Sequence, residues 1–222
     1  SLNPLVANIV AGDRLASSLT LGQFVKAIAS FLAPIIAAWA VVTFGDWKML
    51  FPIFGVVAIV AAAILFVTNI KEQPIEGKQS TFTECFGLLK DKLVFMLFLG
   101  ILVHVGVDVG INLTAPKLLM ERLNMTLADA GYSTSLYFLF RTLGCFSGAI
   151  ILARFSAKKF FIISVAAMVI AVAGLYFGNS LLSLYICVAL IGFGNSNVFS
   201  IMFSQALLHL PKRNNEISGL MV

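Results

Sequence analysis

The sequence predicts an all-α, polytopic membrane protein, and three observations carry that prediction. Of the 222 residues, 60% are hydrophobic and 11% charged, where soluble domains hold roughly 45–50% and about 25%. The mean hydropathy is +1.00, so the bilayer must be the solvent for most of the chain. The apolar residues also fall into continuous runs of about 20, the length of one helical crossing, with no period-two alternation and too great a length for barrel strands. Twenty Phe and 17 Gly suit packed spans, since Phe faces lipid readily and Gly lets backbones approach.

Six complete spans follow in order, bounded by charged or Gly/Pro/Asn punctuation, with an incomplete one at each end. After an apolar stretch from Leu5 to Ala11, the first complete span runs from Ser18 to Phe44. Its Pro34 can bend the helix where neighbours satisfy the freed carbonyl. The second runs from Met49 to Asn69. The third runs from Leu93 to Pro116, the fourth from Ala130 to Ala153 and the fifth from Phe160 to Phe177. The sixth runs unbroken from Leu181 to Leu208, and Ile217 to Val222 opens a further helix. Lys71 to Lys92 is the only long hydrophilic stretch. Within it Thr81-Phe82-Thr83-Glu84 has the capping-box pattern and Phe82, Cys85, Phe86 and Leu89 recur at helical spacing, which predicts an interfacial helix. A solvated linker with helical propensity fits the same residues.

Orientation follows from basic residues in alternate loops. One set holds Arg14, Lys71, Lys78, Lys90, Lys92, Arg154, Lys158, Lys159, Lys212 and Arg213; the other holds only Lys48, Lys117 and Arg122. The first set is therefore assigned to the cytoplasm. The two remaining basic residues, Lys26 and Arg141, lie inside spans, as does one acid, Asp108.

An ionisable side chain at membrane depth is expensive and by default marks function. His104, Asp108 and Asn112 recur every four residues in the third span and share one helical face. Gly106 and Gly110, on another face, are placed to seat a neighbouring helix. A carboxylate beside an imidazole can pass or store a proton; a hydrogen-bonded seam that only locks helices fits the trio equally. Arg141 lies near the middle of the fourth span, one turn after Tyr137. At 1.5 Å per residue its depth differs from that of Asp108 by roughly 6 Å, within reach of an Arg side chain. Such a pair either neutralises two charges or acts as a switch, protonation of Asp108 releasing Arg141.

Thr20, Gln23, Lys26 and Ser30 form a polar stripe on the first span, and amides and hydroxyls of this kind suit a sugar; Lys26 can also snorkel to the cytoplasm. The sixth span carries Gly192, Ser196, Ser200 and Ser204 at four-residue spacing, a pattern of close packing, together with Asn195, Asn197 and Gln205.

Several function classes lose support. The net charge of +5 is not concentrated in a polar patch, which argues against nucleic acid. Cys85, Cys145 and Cys187 are odd in number, widely spaced and without His partners, so neither a disulfide framework nor a metal site is expected. No GxSxG, HExxH or Walker loop is present, so no catalytic residues, cofactor or enzymatic activity are expected. The opening Asn3-Pro4-Leu5-Val6-Ala7 lacks the basic n-region of a signal peptide.

The loops and polar positions resemble a known family. Asn3-Pro4, Leu19-Thr20-Leu21-Gly22-Gln23-Phe24 and Val105-Gly106-Val107-Asp108-Val109-Gly110 come in that order. They are followed by Gly148 with Arg154-Phe155-Ser156-Ala157-Lys158-Lys159, by Gly192-Phe193-Gly194-Asn195-Ser196 with Phe199 and Phe203, and by Ser218-Gly219-Leu220. Order and intervals resemble the major facilitator superfamily, and within it bacterial sugar:proton symporters of the fucose permease and glucose/galactose transporter type. The resemblance implies a partial major facilitator fold, from the end of helix four to the start of helix eleven of a twelve-helix carrier. It makes residues 1–70 the end of the N-terminal six-helix bundle, 71–92 the central cytoplasmic loop with its interfacial helix, and 93–222 the C-terminal bundle. Three departures stand out: Asp108 where Glu is common, Lys26 where an amide is usual, and Ser200 where Pro is usual.

The expected function is proton-coupled uptake of a monosaccharide across a bacterial inner membrane by alternating access. The substrate would be lined by Gln23, Asn112, Asn195, Asn197 and Lys26, with Asp108, His104 and Arg141 as charge switch or proton-coupling group. The partners expected are a small-molecule substrate, the proton and the lipid bilayer, with no nucleic acid, and the carrier is expected to be a monomer. An antiporter or organic-anion carrier using Lys26 and Arg141 as ligands is the alternative. A non-transporting membrane sensor or assembly partner, docking through the 71–92 loop, is an alternative from another class.

Overall fold

A computed structural model describes residues 10, 14–68 and 81–222, and the described residues contain no strand. The Asn3-Pro4 match, the Leu5 to Ala11 stretch except Val10, and the 71–80 part of the central loop lie outside the described residues. Those up to Ala29, with those from 81 onward, form one compact unit; those from Ser30 to 68 form a second.

The second unit starts within helix α1 (Leu15–Phe44). That helix ends where Gly45 takes a left-handed φ of 74° and its N–H reaches the Val41 carbonyl at 2.9 Å, a conformation glycine adopts without a Cβ penalty. Asp46 Oδ1 accepts from the Lys48 N–H at 2.9 Å and so starts the turn into α2 (Leu50–Val67). Pro52 is tolerated there because the first helical turn needs no backbone donor.

In the larger unit the capping box forms. Thr81 Oγ1 accepts from the Glu84 N–H, and Glu84 Oε2 accepts from the Thr81 N–H at 2.8 Å, opening α3 (Phe82–Gly87). Asp91 then caps α4 (Lys92–Leu123), its Oδ1 accepting from the N–H groups of Leu93 and Val94. The sequence pattern ends this span at Pro116, but the helix continues for two more turns. Leu119, buried against Ala130 and Leu184, holds the extension, and the helix stops at Asn124, which takes the left-handed conformation with φ 52°.

Next come α5 (Leu127–Leu152), capped by Thr126, and α6 (Ala157–Phe177). They are followed by α7 (Leu181–Asn195), α8 (Val198–His209) and α9 (Asn214–Met221). Thus the sixth span is two helices rather than one. Ser196 Oγ donates to the Phe193 carbonyl at 2.6 Å, and Asn197 Nδ2 donates to the Gly144 carbonyl at 2.9 Å. Side chains that bond backbone carbonyls in this way compete with the helical ladder, and the ladder resumes only when the Ile201 N–H reaches the Asn197 carbonyl.

Helix α7 is wedged between α5 and α6 by two glycines two residues apart and so on opposite faces. A Cβ on Gly192 would strike the Tyr137 carbonyl of α5; one on Gly194 would lie 3.0 Å from the Ser164 carbonyl of α6. No described residue packs on Gly106 or Gly110: a Cβ at either would meet nothing within 4 Å among the described residues. Near the Lys/Arg-rich end, a core of Leu19, Val94, Ile101, Met202, Phe203 and Ile217 joins α1, α4, α8 and α9. A second core joins α4 to α7 through Ile111, Tyr137, Ala171 and Ile191. Large apolar residues on the outer face of α6, such as Ile163 and Ile170, are exposed, as lipid contact requires. Six stretches of the described residues are long and apolar enough to cross a membrane.

Candidate functional site

Asp108 sits near the middle of α4, facing α5. Its Oδ1 accepts from Arg141 Nη1 at 2.5 Å and from Tyr137 Oη at 2.6 Å. The two donors lie one turn apart on α5, so a single carboxylate oxygen is clamped by one helical face. The Arg141 side chain is 9% exposed and that of Asp108 25%, which makes this an ion pair largely inside the bundle. A charge so placed is tolerated because its partner is fixed beside it.

From Tyr137 the network runs on into α7. Asn195 Nδ2 donates to Tyr137 Oη at 2.8 Å, and Asn195 Oδ1 lies 2.7 Å from His104 Nδ1. Tyr137 and Asn195 are fully buried. The roles are then fixed by what each atom can do. An amide oxygen only accepts, so His104 Nδ1 carries a hydrogen, and Tyr137 accepts from the amide and donates to the carboxylate. Every bond in the chain His104, Asn195, Tyr137, Asp108 points the same way, toward the acid. The Gly192 contact brings Asn195 to this position by letting α7 press directly on the backbone of Tyr137.

The other expected residues fall around this network in different ways. Asn112, one turn beyond Asp108, donates through Nδ2 to the Asp108 carbonyl at 2.8 Å. Its Oδ1 is buried with no hydrogen-bond partner among the described residues. Asn197 is fully buried at the α5 contact, bonded to the Gly144 carbonyl and Ser196 Oγ, and is not joined to Asp108. Gln23 is half-buried and Lys26 exposed on α1; the Lys26 charge still acts on His104, as do those of Arg141 and Asp108. Tyr137 is the member that the sequence flagged only by its spacing from Arg141. Among the described residues no three His, Cys, Asp or Glu side chains are grouped to hold a metal.

Polar ties also close the two ends of the bundle. At the Lys/Arg-rich end Asp91 Oδ2 lies 3.0 Å from His209 Nε2, and Arg213 donates to the Glu84 carbonyl. The His209 contact first, and the Val94 N–H second, hold the Asp91 carboxyl below its ordinary range. At the opposite end Arg122, from the last turn of α4, donates to the carbonyls of Leu175, Tyr176 and Gly178. It thus satisfies the carbonyls that the end of α6 leaves open.

Six apolar spans, a buried ion pair and a polar chain across three helices describe a protein that manages charge within a bilayer. No curated protein matches the chain. A family model described as Major Facilitator Superfamily matches residues 1–222. The chain belongs to the Major Facilitator Superfamily of membrane transporters.

Proposed function

We propose that this multi-pass transporter carries out proton-coupled uptake of a monosaccharide across a bacterial inner membrane, with Asp108 as the group that takes the proton. The observation that carries the reading is the buried Asp108–Arg141 pair, with Tyr137 on the same carboxylate oxygen. Protonating that oxygen removes the counter-charge of Arg141 and weakens the tie between α4 and α5. A solute that binds one packing better than the other is thereby coupled to the proton. Asn112 supports a hydroxylated solute. Its buried Oδ1, without a partner among the described residues, lies one turn from Asp108, and a sugar hydroxyl is a donor of the right kind. Gln23 and Lys26 complete the proposed lining from α1, while Asn195 and Asn197 enter it only if their present bonds open. The two-bundle arrangement, with 1–70 and 93–222 rocking about the midplane and 71–92 joining them, belongs to the same proposal.

The anion-carrier reading needs Arg141 as a ligand, and Arg141 is already committed to Asp108. Uptake of labelled hexoses into proteoliposomes by the full-length protein tests the proposal. A proton gradient should drive accumulation, and Asp108→Asn should abolish accumulation while sparing sugar exchange without a gradient. Absence of any sugar-dependent flux would overturn it.

A further inference from the structure

We infer that Asn195 is a turning amide that transmits the protonation state of Asp108 to His104, reversing the hydrogen-bond chain between them and switching the tautomer of the histidine. The inference rests on the proposed reading in one respect only, that Asp108 takes up a proton.

With Asp108 ionised, three hydrogens point one way: His104 Nδ1–H to Asn195 Oδ1, Asn195 Nδ2–H to Tyr137 Oη, and Tyr137 Oη–H to Asp108 Oδ1. A proton added at Asp108 Oδ1 turns that oxygen from acceptor to donor. Tyr137 Oη has a single hydrogen; if it accepts from the acid, it must donate elsewhere, and Asn195 is the other partner it has. The amide then presents Oδ1 to Tyr137, which a half-turn about its terminal bond achieves without moving the backbone, and Nδ2 to His104. Nδ1 must now accept, so its proton goes to solvent and Nε2 takes one up. The count balances: one proton is gained at the acid and the imidazole stays neutral throughout.

Among the described residues the groups facing this chain are few. Arg141 and Tyr137 approach from α5, Asn195 from α7, the Phe199 ring from α8 at 6.3 Å from the imidazole, and the Lys26 charge from α1. Cys145 lies close enough to Arg141 to interact with it. Asn195 and Tyr137 are fully buried, so no water competes for their bonds and the reversal must pass from one to the next. At a solvated site each member would relax separately.

The test uses the full-length protein labelled with ¹⁵N-histidine in liposomes. His209→Gln leaves His104 as the only histidine of these 222 residues, and selective pulses resolve any beyond them. At high pH the bare, downfield ring nitrogen should be Nε2. As the carboxyl infrared band of the protonated acid appears, the bare nitrogen should become Nδ1. Asp108→Asn, which can keep its Oδ1 on Arg141 while its Nδ2 donates to Tyr137, should fix the low-pH tautomer at every pH, and Asn195→Ala should uncouple His104 from the acid. If Asp108→Asn does not fold, the wild-type pH series reads the same switch. A tautomer that stays constant while the acid titrates and uptake remains proton-coupled overturns the inference alone. An acid that never titrates, with uptake indifferent to the gradient, overturns the proposed function as well.

Discussion

Removing either charge of the Asp108–Arg141 pair should destabilise the bundle far more than removing both. Asp108→Asn leaves a guanidinium that is 9% exposed without its counter-charge, and it replaces a second short, charge-assisted bond, from Tyr137, with a neutral one. Breaking a fully buried pair costs about 3–5 kcal/mol. Asp108 keeps a quarter of its surface exposed, which lowers the expected loss to about 2–4 kcal/mol for Asp108→Asn or Arg141→Gln alone. The double variant replaces the ion pair with two amides able to bond each other, so its loss should be about 1 kcal/mol. Reversible unfolding of the four proteins in mixed micelles, followed by circular dichroism, measures the cycle. If the double variant loses the sum of the two single losses, the charges do not interact and the Asp108–Arg141 switch loses its basis.

Two further outcomes are expected at the ends of the bundle. Arg122→Ala should lower stability by about 1–3 kcal/mol, and Arg122→Lys should recover only part of it because an ammonium lacks the planar fork; melting of the purified variants reads both, and a loss under about 0.5 kcal/mol would mean that the three carbonyls are equally served by water. Asp91→Asn should lower the melting temperature near neutral pH. Because the folded carboxyl sits below its ordinary range, its stabilisation is complete above the unfolded value of about 4 and fades as the pH falls through the folded one. The wild-type and variant melting curves should therefore converge in acid, and a gap that widens there would contradict the assigned direction.

What the sequence displayed, and what it hid, follows from whether a feature is local. The capping box at Thr81 and Glu84 and the four-residue recurrence of His104, Asp108 and Asn112 are written in one helix each. The reach from Asp108 to Arg141 needed only helical rise and span ends. The break at Ser196 and Asn197 depends on a carbonyl of α5, and hydropathy shows no trace of it. The partners of Asn195 depend on how α7 is rotated, which Gly192 and Gly194 set by touching two different neighbours. Gly106 and Gly110 have the same spacing signature as a packing seam, yet none of the described residues packs against them. Arg122 read only as a charge in a loop, because the carbonyls it serves lie more than fifty residues away.

The glycine wedge that buries α7 also bears on how the protein is made. An 18-residue part of Leu181–His209 has a mean hydropathy of 1.7, against 2.9 for Leu50–Val67, and 78% of its residues are buried within the bundle. With two asparagines and several serines near its middle, it gains less than Leu50–Val67 from partitioning into lipid alone, as do Leu15–Ala33 at 1.3 and Asp129–Leu152 at 1.6. What sets it apart is its burial, so packing against α5 and α6 adds to what lipid partitioning alone gives it. A variant carrying Gly192→Leu, which keeps the stretch apolar but blocks the approach to Tyr137, should still insert and yet fail to pack.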